Sequence, residues 1–243
     1  MRIFFKSLLS HVKYCIYNGA ILLIPVAIIS LFSCLQCAEI GDYVNYNFDY
    51  YTFWLYKGME YPRNQLTIIP DGVWIFLNIY SLLYIGNYLN KSESFFFKYE
   101  IIKSRSRLCW IVSRYVTIVF MLLLYYFTEI CVIFIFSSLA GNIYITSFRI
   151  LQILIAYLGS LTIVSIFYMA NSLFRNIFIA YLICSGMIVF TVYEKWHMYI
   201  GNMLMFLREN DVQLMITHSI LCVITIVIAL VISIVSYMKR DLL

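Results

Sequence analysis

The sequence predicts an all-α integral membrane protein with six transmembrane helices. Three observations carry that prediction. Of 243 residues, 63% are hydrophobic and only 12% are charged, too little polar surface to cover a soluble domain of this size. Apolar runs of about 20 residues recur along the chain, the length a helix needs to cross the hydrocarbon layer. Aromatic residues reach 19%, mostly Tyr and Phe, which suits a chain that occupies two water–lipid interfaces.

The predicted spans are 16–35, 73–89, 115–136, 150–170, 177–193 and 216–237, in one transmembrane domain covering 1–243. The first, third and sixth are long and clean. The second is shorter and carries Asn78 and Asn87, for which interhelical hydrogen bonding is the default role. Only the stretch from Asn171 to Asn176 separates the fourth and fifth, so they are predicted to form a tight helical hairpin. Leu31–Cys34 loosely resembles a lipoprotein cleavage box, but the apolar run before it is too long for an ordinary signal peptide. The first run is therefore read as an uncleaved span.

Charge sets the orientation. With the N-terminus inside, 12 of the 17 Lys and Arg fall in inner segments and eight of the 12 acids fall outside. Cations near span ends favour the cytoplasmic side, so both termini are predicted to be cytoplasmic. Heavy use of Ile, Tyr, Phe, Asn and Lys suggests an AT-rich bacterial genome, and the expected location is a bacterial plasma membrane. Nucleic acid is not an expected partner; membrane lipid is.

The outer connection 38–71 is rich in aromatics. From Tyr46 to Tyr56 the alternation fits a strand, while the spacing of Tyr43, Tyr46, Tyr50 and Trp54 fits a helix, so periodicity leaves both open. Its rings either lie at headgroup depth or form an outer gate, with Tyr50 and Trp54 touching an amphipathic cargo. Glu129 is the one acid inside a span, at a cost of about 2.5–3.5 kcal/mol on insertion scales. It is a candidate for the substrate path, with Arg149 and His218 as possible partners; the plainer role is a buried structural pair or a neutral acid.

The inner connection 90–113 holds a second pattern. Residues 92–103 fit a short helix with Phe95, Phe96, Tyr99 and Ile102 on one face, lying in the plane of the membrane surface. Glu93, Lys98 and Glu100 fall mostly off that face, Ser104-Arg105-Ser106 interrupts the helix, and Arg107 leads into the third span; the cations of this connection bind anionic lipid at about 1 kcal/mol each.

Several chemistries lack their residues. There is no GxxxxGK[ST], so the chain has no P-loop, carries no ATP or Mg of its own and is not expected to be an enzyme. His11, His197 and His218 are scattered, and no metal site is expected. Cys34 and Cys37 form a CxxC, but no second outer pair accompanies it to relay electrons. A membrane thiol oxidoreductase using Cys34 and Cys37 is the minor alternative, and small packing residues on one helix face are the plainer reading.

The organisation resembles the membrane subunit of ABC-2 type transporters. The residues that carry the resemblance lie at about 73–120: Glu93 or Glu100, a short amphipathic helix, then Ser104-Arg105 or Ser106-Arg107, and Trp110 before the third span. The chain lacks the family's Gly-Thr after the Glu and its Pro before the Ser-Arg. The resemblance implies that the inner helix is a coupling helix docking on a cytoplasmic ABC ATPase through Phe95, Phe96, Lys98, Tyr99, Glu100, Ile102, Lys103, Arg105 and Arg107. It further implies ATP and Mg bound by that partner, and a second permease half, a copy of this chain or a similar one. The expected function is export of an amphipathic cargo, first of all a hydrophobic or antimicrobial peptide. A stand-alone immunity or scaffold protein that binds a membrane-active peptide is the alternative.

Overall fold

A computed structural model describes residues 2–40, 47–56, 68–92, 107–140, 143–191, 200, 204 and 212–239. It is 94% helix with no strand among them. The coupling segment with Phe95, Phe96, Lys98, Tyr99, Glu100, Ile102, Lys103 and Arg105 lies outside the described residues.

Helix α1 is Arg2–Gly19; a 3-10 turn, Ala20–Leu23, leads into α2, Ile24–Ile40. The turn has a local cause. Pro25 has no N–H to give to the carbonyl of Ile21, and the Ile24 N–H takes that carbonyl instead, tightening the helix for one turn. Helix α3 is Phe48–Tyr56, started by Asn47, whose side chain accepts the Tyr50 N–H at 2.9 Å. Then come α4, Ile68–Lys91, and α5, Arg107–Leu139. Helices α6, Ser147–Phe174, α7, Ile177–Thr191, and α8, Val212–Met238, complete the set.

Five stretches are long and apolar enough to cross a membrane: Ala20–Ala38, Gly72–Lys91, Arg107–Leu139, Ser147–Phe174 and Val212–Met238. The described part is therefore compatible with a multi-pass membrane protein. The fifth predicted span, 177–193, differs. Its described part, Ile177–Thr191, is an apolar helix of 15 residues, about 22 Å long; residues 192 and 193 lie outside the described residues. Other helices outrun their predicted spans, because polar residues at helix ends continue the backbone hydrogen bonding after the apolar run stops. Thus α5 begins at Arg107 inside the predicted inner connection, α8 begins at Val212, and the predicted outer connection contains α3.

Helix α4 runs against α1 and the turn after it, since Tyr88 meets His11 and Tyr80 meets Leu22, and α5 runs against α4, since Arg114 meets Leu89 and Tyr125 meets Leu77; this gives the bundle two ends. At one, called here the termini end, His11 meets Tyr88 at 2.9 Å, Arg107 reaches Met238 and Arg114 reaches Leu89. At the far end, α3 packs among α2, α4, α5 and α6. Helices α6 and α7 form the predicted hairpin. Arg175 turns the chain with φ 53°, its N–H closing on the Asn171 carbonyl, and Asn176 caps α7 through the Phe178 N–H at 2.9 Å. At Gly86 of α4 the Tyr181 side chain of α7 lies against the backbone, its hydroxyl shared between the Leu82 and Leu83 carbonyls at 3.0 and 3.2 Å.

Candidate functional site

The far end holds the buried acid. Glu129, on the inward face of α5, is 1% exposed. Its carboxyl accepts a hydrogen bond from the Tyr56 hydroxyl, brought in by α3. Burial first, and then the neighbouring Glu129, push the Tyr56 phenol well above its ordinary range, so it acts as a donor. The Tyr125 hydroxyl lies against the same carboxyl while donating to the Leu77 carbonyl at 2.7 Å. One turn back from Glu129, Tyr126 stacks on the Tyr56 ring, centroids 5.9 Å apart and planes 5° off parallel. Its hydroxyl is 2.6 Å from Ser160 and donates to the Ala156 carbonyl at 3.1 Å. A cavity of about 10 Å³ lies between α3, α4, α5 and α6, lined by Leu55, Tyr56, Trp74, Asn78, Tyr126 and Glu129 among others. That is room for one water.

Helix α3 closes this site. Phe48, Tyr51, Thr52, Leu55 and Tyr56 are all buried, the i, i+3, i+4, i+7 and i+8 positions of one face. Tyr51 meets Phe136 edge to face at 5.2 Å. Asp49 makes a second clasp: its carboxylate accepts the Thr146 N–H at 3.1 Å and the Thr146 hydroxyl at 2.5 Å. Thr146 is itself the N-cap of α6, accepting the Arg149 N–H at 3.2 Å. Asp49 and Tyr56 are seven residues apart, two turns along a single stripe.

The predicted site residues separate accordingly. Glu129 is at the centre of the cluster. Its partner is Tyr56 instead of Arg149 or His218. Arg149 bonds Gln152 at 2.5 Å and lies over the Phe53 ring at 5.0 Å. The helical alternative holds for the aromatic stretch at 48–56. Tyr50 is 38% exposed, turned away from the cavity, and Trp54 is half-buried beside the core. Sequence reasoning missed Tyr56, Asp49 and Tyr126. The signal was present in the i, i+7 spacing of Asp49 and Tyr56, which only a helix converts into one face.

The termini end has its own buried ion. Arg114 is fully buried. Its guanidinium carbon lies 5.0, 5.7 and 5.6 Å from the ring centres of Trp110, Tyr168 and Tyr237. One nitrogen donates to the Leu89 carbonyl at 2.9 Å, another to the Tyr237 hydroxyl at 3.1 Å. Leu89 lies in the last turn of α4, where carbonyls lack helical partners and the dipole favours a cation. Arg107, expected to touch an ATPase, donates to the Met238 carbonyl at 3.0 Å. It therefore does for α8 what Arg114 does for α4.

Cys34 and Cys37 are both buried and unjoined, 2% and 1% exposed. Comparison with family models, with curated proteins and with solved structures gives no match for this chain.

Proposed function

We propose that this chain is a six-span permease subunit of an ABC-2 type exporter in a bacterial plasma membrane, with α7 as the fifth span and both termini cytoplasmic. A partner ATPase supplies ATP and Mg. The termini end is then cytoplasmic and the far end is the outer side. The observation that carries the reading is a buried carboxyl on a spanning helix, Glu129, closed over at the outer end by a short helix. A carboxyl is costly at that depth and is usually kept for a function. The end of α4 and the start of α5 lie at the opposite end, and the basic segment that joins them in sequence is the one a cytoplasmic ATPase would meet. The largely exposed apolar face of α8 suits lipid and a second permease half. The cargo is an amphipathic molecule, in the first instance a peptide.

A stand-alone immunity protein is the second reading, favoured by the close packing of the far end around a cavity no larger than one water. Purification of the chain from its native membrane in mild detergent, with an assay for bound ATPase, separates the two. Recovery of an ATPase that Lys103→Glu/Arg105→Glu loses supports the exporter. A preparation without ATPase, even after cross-linking, overturns it. Arg107 is a poor probe of docking, because it also holds the end of α8.

A further inference from the structure

The geometry points to Tyr56 as a built-in occupant of a site for the ammonium group of an amphipathic cation, formed by the Glu129 carboxyl and the ring face of Tyr126. This deepens the exporter reading and rests on it for the side from which the ligand leaves.

The argument starts from what Tyr56 covers. Its hydroxyl sits on the carboxyl, and its ring lies flat on Tyr126. One side chain thus masks two features at once. A carboxylate beside an aromatic face is the pair that holds an organic cation, by charge and by attraction to the ring quadrupole. A carboxylate also has acceptor positions beyond those that phenol donors fill. The neighbouring cavity, about 10 Å³, is too small for any ammonium-bearing ligand as it stands. Entry therefore requires Leu55 and Tyr56 to withdraw, and both belong to the last turn of α3 described.

Helix α3 is built for such withdrawal. Its described part is nine residues long, and the polar clasps on it include Tyr56 on Glu129 and Asp49 on Thr146. A neutral phenol gives the carboxyl a hydrogen bond only, whereas an ammonium adds a direct Coulomb attraction that a water-poor site screens weakly. A ligand cation therefore competes with Tyr56 on favourable terms. The ammonium has two sources, a soluble amphiphile or an ethanolamine lipid headgroup.

Hydrogen exchange of α3 amides in nanodiscs tests this on the chain alone, without ATPase. The discs contain phosphatidylglycerol only, and the probes are octylammonium, octyl sulfate and octanol. Octylammonium is expected to speed α3 exchange about tenfold, the other two less than twofold. Glu129→Gln is expected to remove the response. Tyr56→Phe is expected to lower the octylammonium concentration for half-effect about fivefold. Discs that also contain phosphatidylethanolamine give the response without probe if the lipid is the source, and leave α3 unchanged if a soluble amphiphile is. Equal responses to the three probes, or a response that persists in Glu129→Gln, overturn the site. If Glu129→Gln fails to fold, the probe comparison in the unaltered chain decides alone. Loss of the site with ATPase still recovered leaves the exporter standing, and the reverse result leaves the site standing.

Discussion

Arg114 and Glu129 are the buried guanidinium and the buried carboxyl of α5, 15 residues apart on the same helix. They stand roughly 22 Å apart along its axis and about 60° apart around it. Each meets a tyrosine from another element: Tyr237 from α8 at one end, Tyr56 from α3 at the other. Helix α5 thereby organises both ends of the bundle from one face.

The Arg114 cage makes the first prediction. Arg114→Ala should cost at least about 2 kcal/mol, because a desolvated cation–π contact and charged hydrogen bonds are lost together. Arg114→Lys should recover only part of it, since a point charge cannot serve the Leu89 carbonyl, the Tyr237 hydroxyl and three ring faces at once. Thermal unfolding in nanodiscs followed by Trp fluorescence checks this. A Lys variant as stable as the parent would show that the planar group is not needed.

Gly86 makes the second. A methyl group there would sit 2.0 Å from the Tyr181 hydroxyl and 2.6 Å from the ring carbon that bears it. Gly86→Ala should destabilise by about 1–3 kcal/mol through overpacking. Adding Tyr181→Leu should remove most of that penalty, a coupling that a double-mutant cycle reads directly. Additive effects would mean that α4 and α7 do not meet there.

The Asp49 clasp makes the third. In a cycle of Asp49→Ala with Thr146→Ala, the coupling should be about 0.5–1.5 kcal/mol. Each single change should also speed exchange of α3 amides. A coupling near zero would mean that the Thr146 hydroxyl adds nothing to the clasp beyond the Thr146 N–H, which the cycle leaves in place.

The buried thiols make the fourth. Cys34 and Cys37 should resist a membrane-impermeant maleimide in the folded chain and react after unfolding. Cys34→Ala/Cys37→Ala should fold and retain any ATPase association. Rapid labelling of the folded protein would revive the thiol oxidoreductase alternative.

The spanning helices were readable because apolar runs and helix length are both one-dimensional properties. The Asn171–Asn176 turn was readable for the same reason, since polar residues and a short gap define it locally. Glu129 stood out by the cost of its position. Its partner did not, because Tyr56 lies 73 residues away and nothing in composition distinguishes it from the other tyrosines around it. Arg107 and Arg114 read as sidedness signals, and their charge did fall at one end. That each also finishes another helix depends on where α4 and α8 end in space, which periodicity does not encode.

The Arg114 cage has a consequence for how the chain is made. Its last ring, Tyr237, comes from α8, the final described helix to leave the ribosome. Until α8 docks, Arg114 has Trp110 and the earlier-made Tyr168 but lacks one face of its shelter and one hydrogen-bond acceptor. A nascent or shortened chain without α8 therefore carries an incompletely housed cation within an apolar stretch, at a cost of kcal/mol scale. The same residue that joins the finished bundle thus marks an unfinished one, giving membrane quality control a chemical difference to recognise.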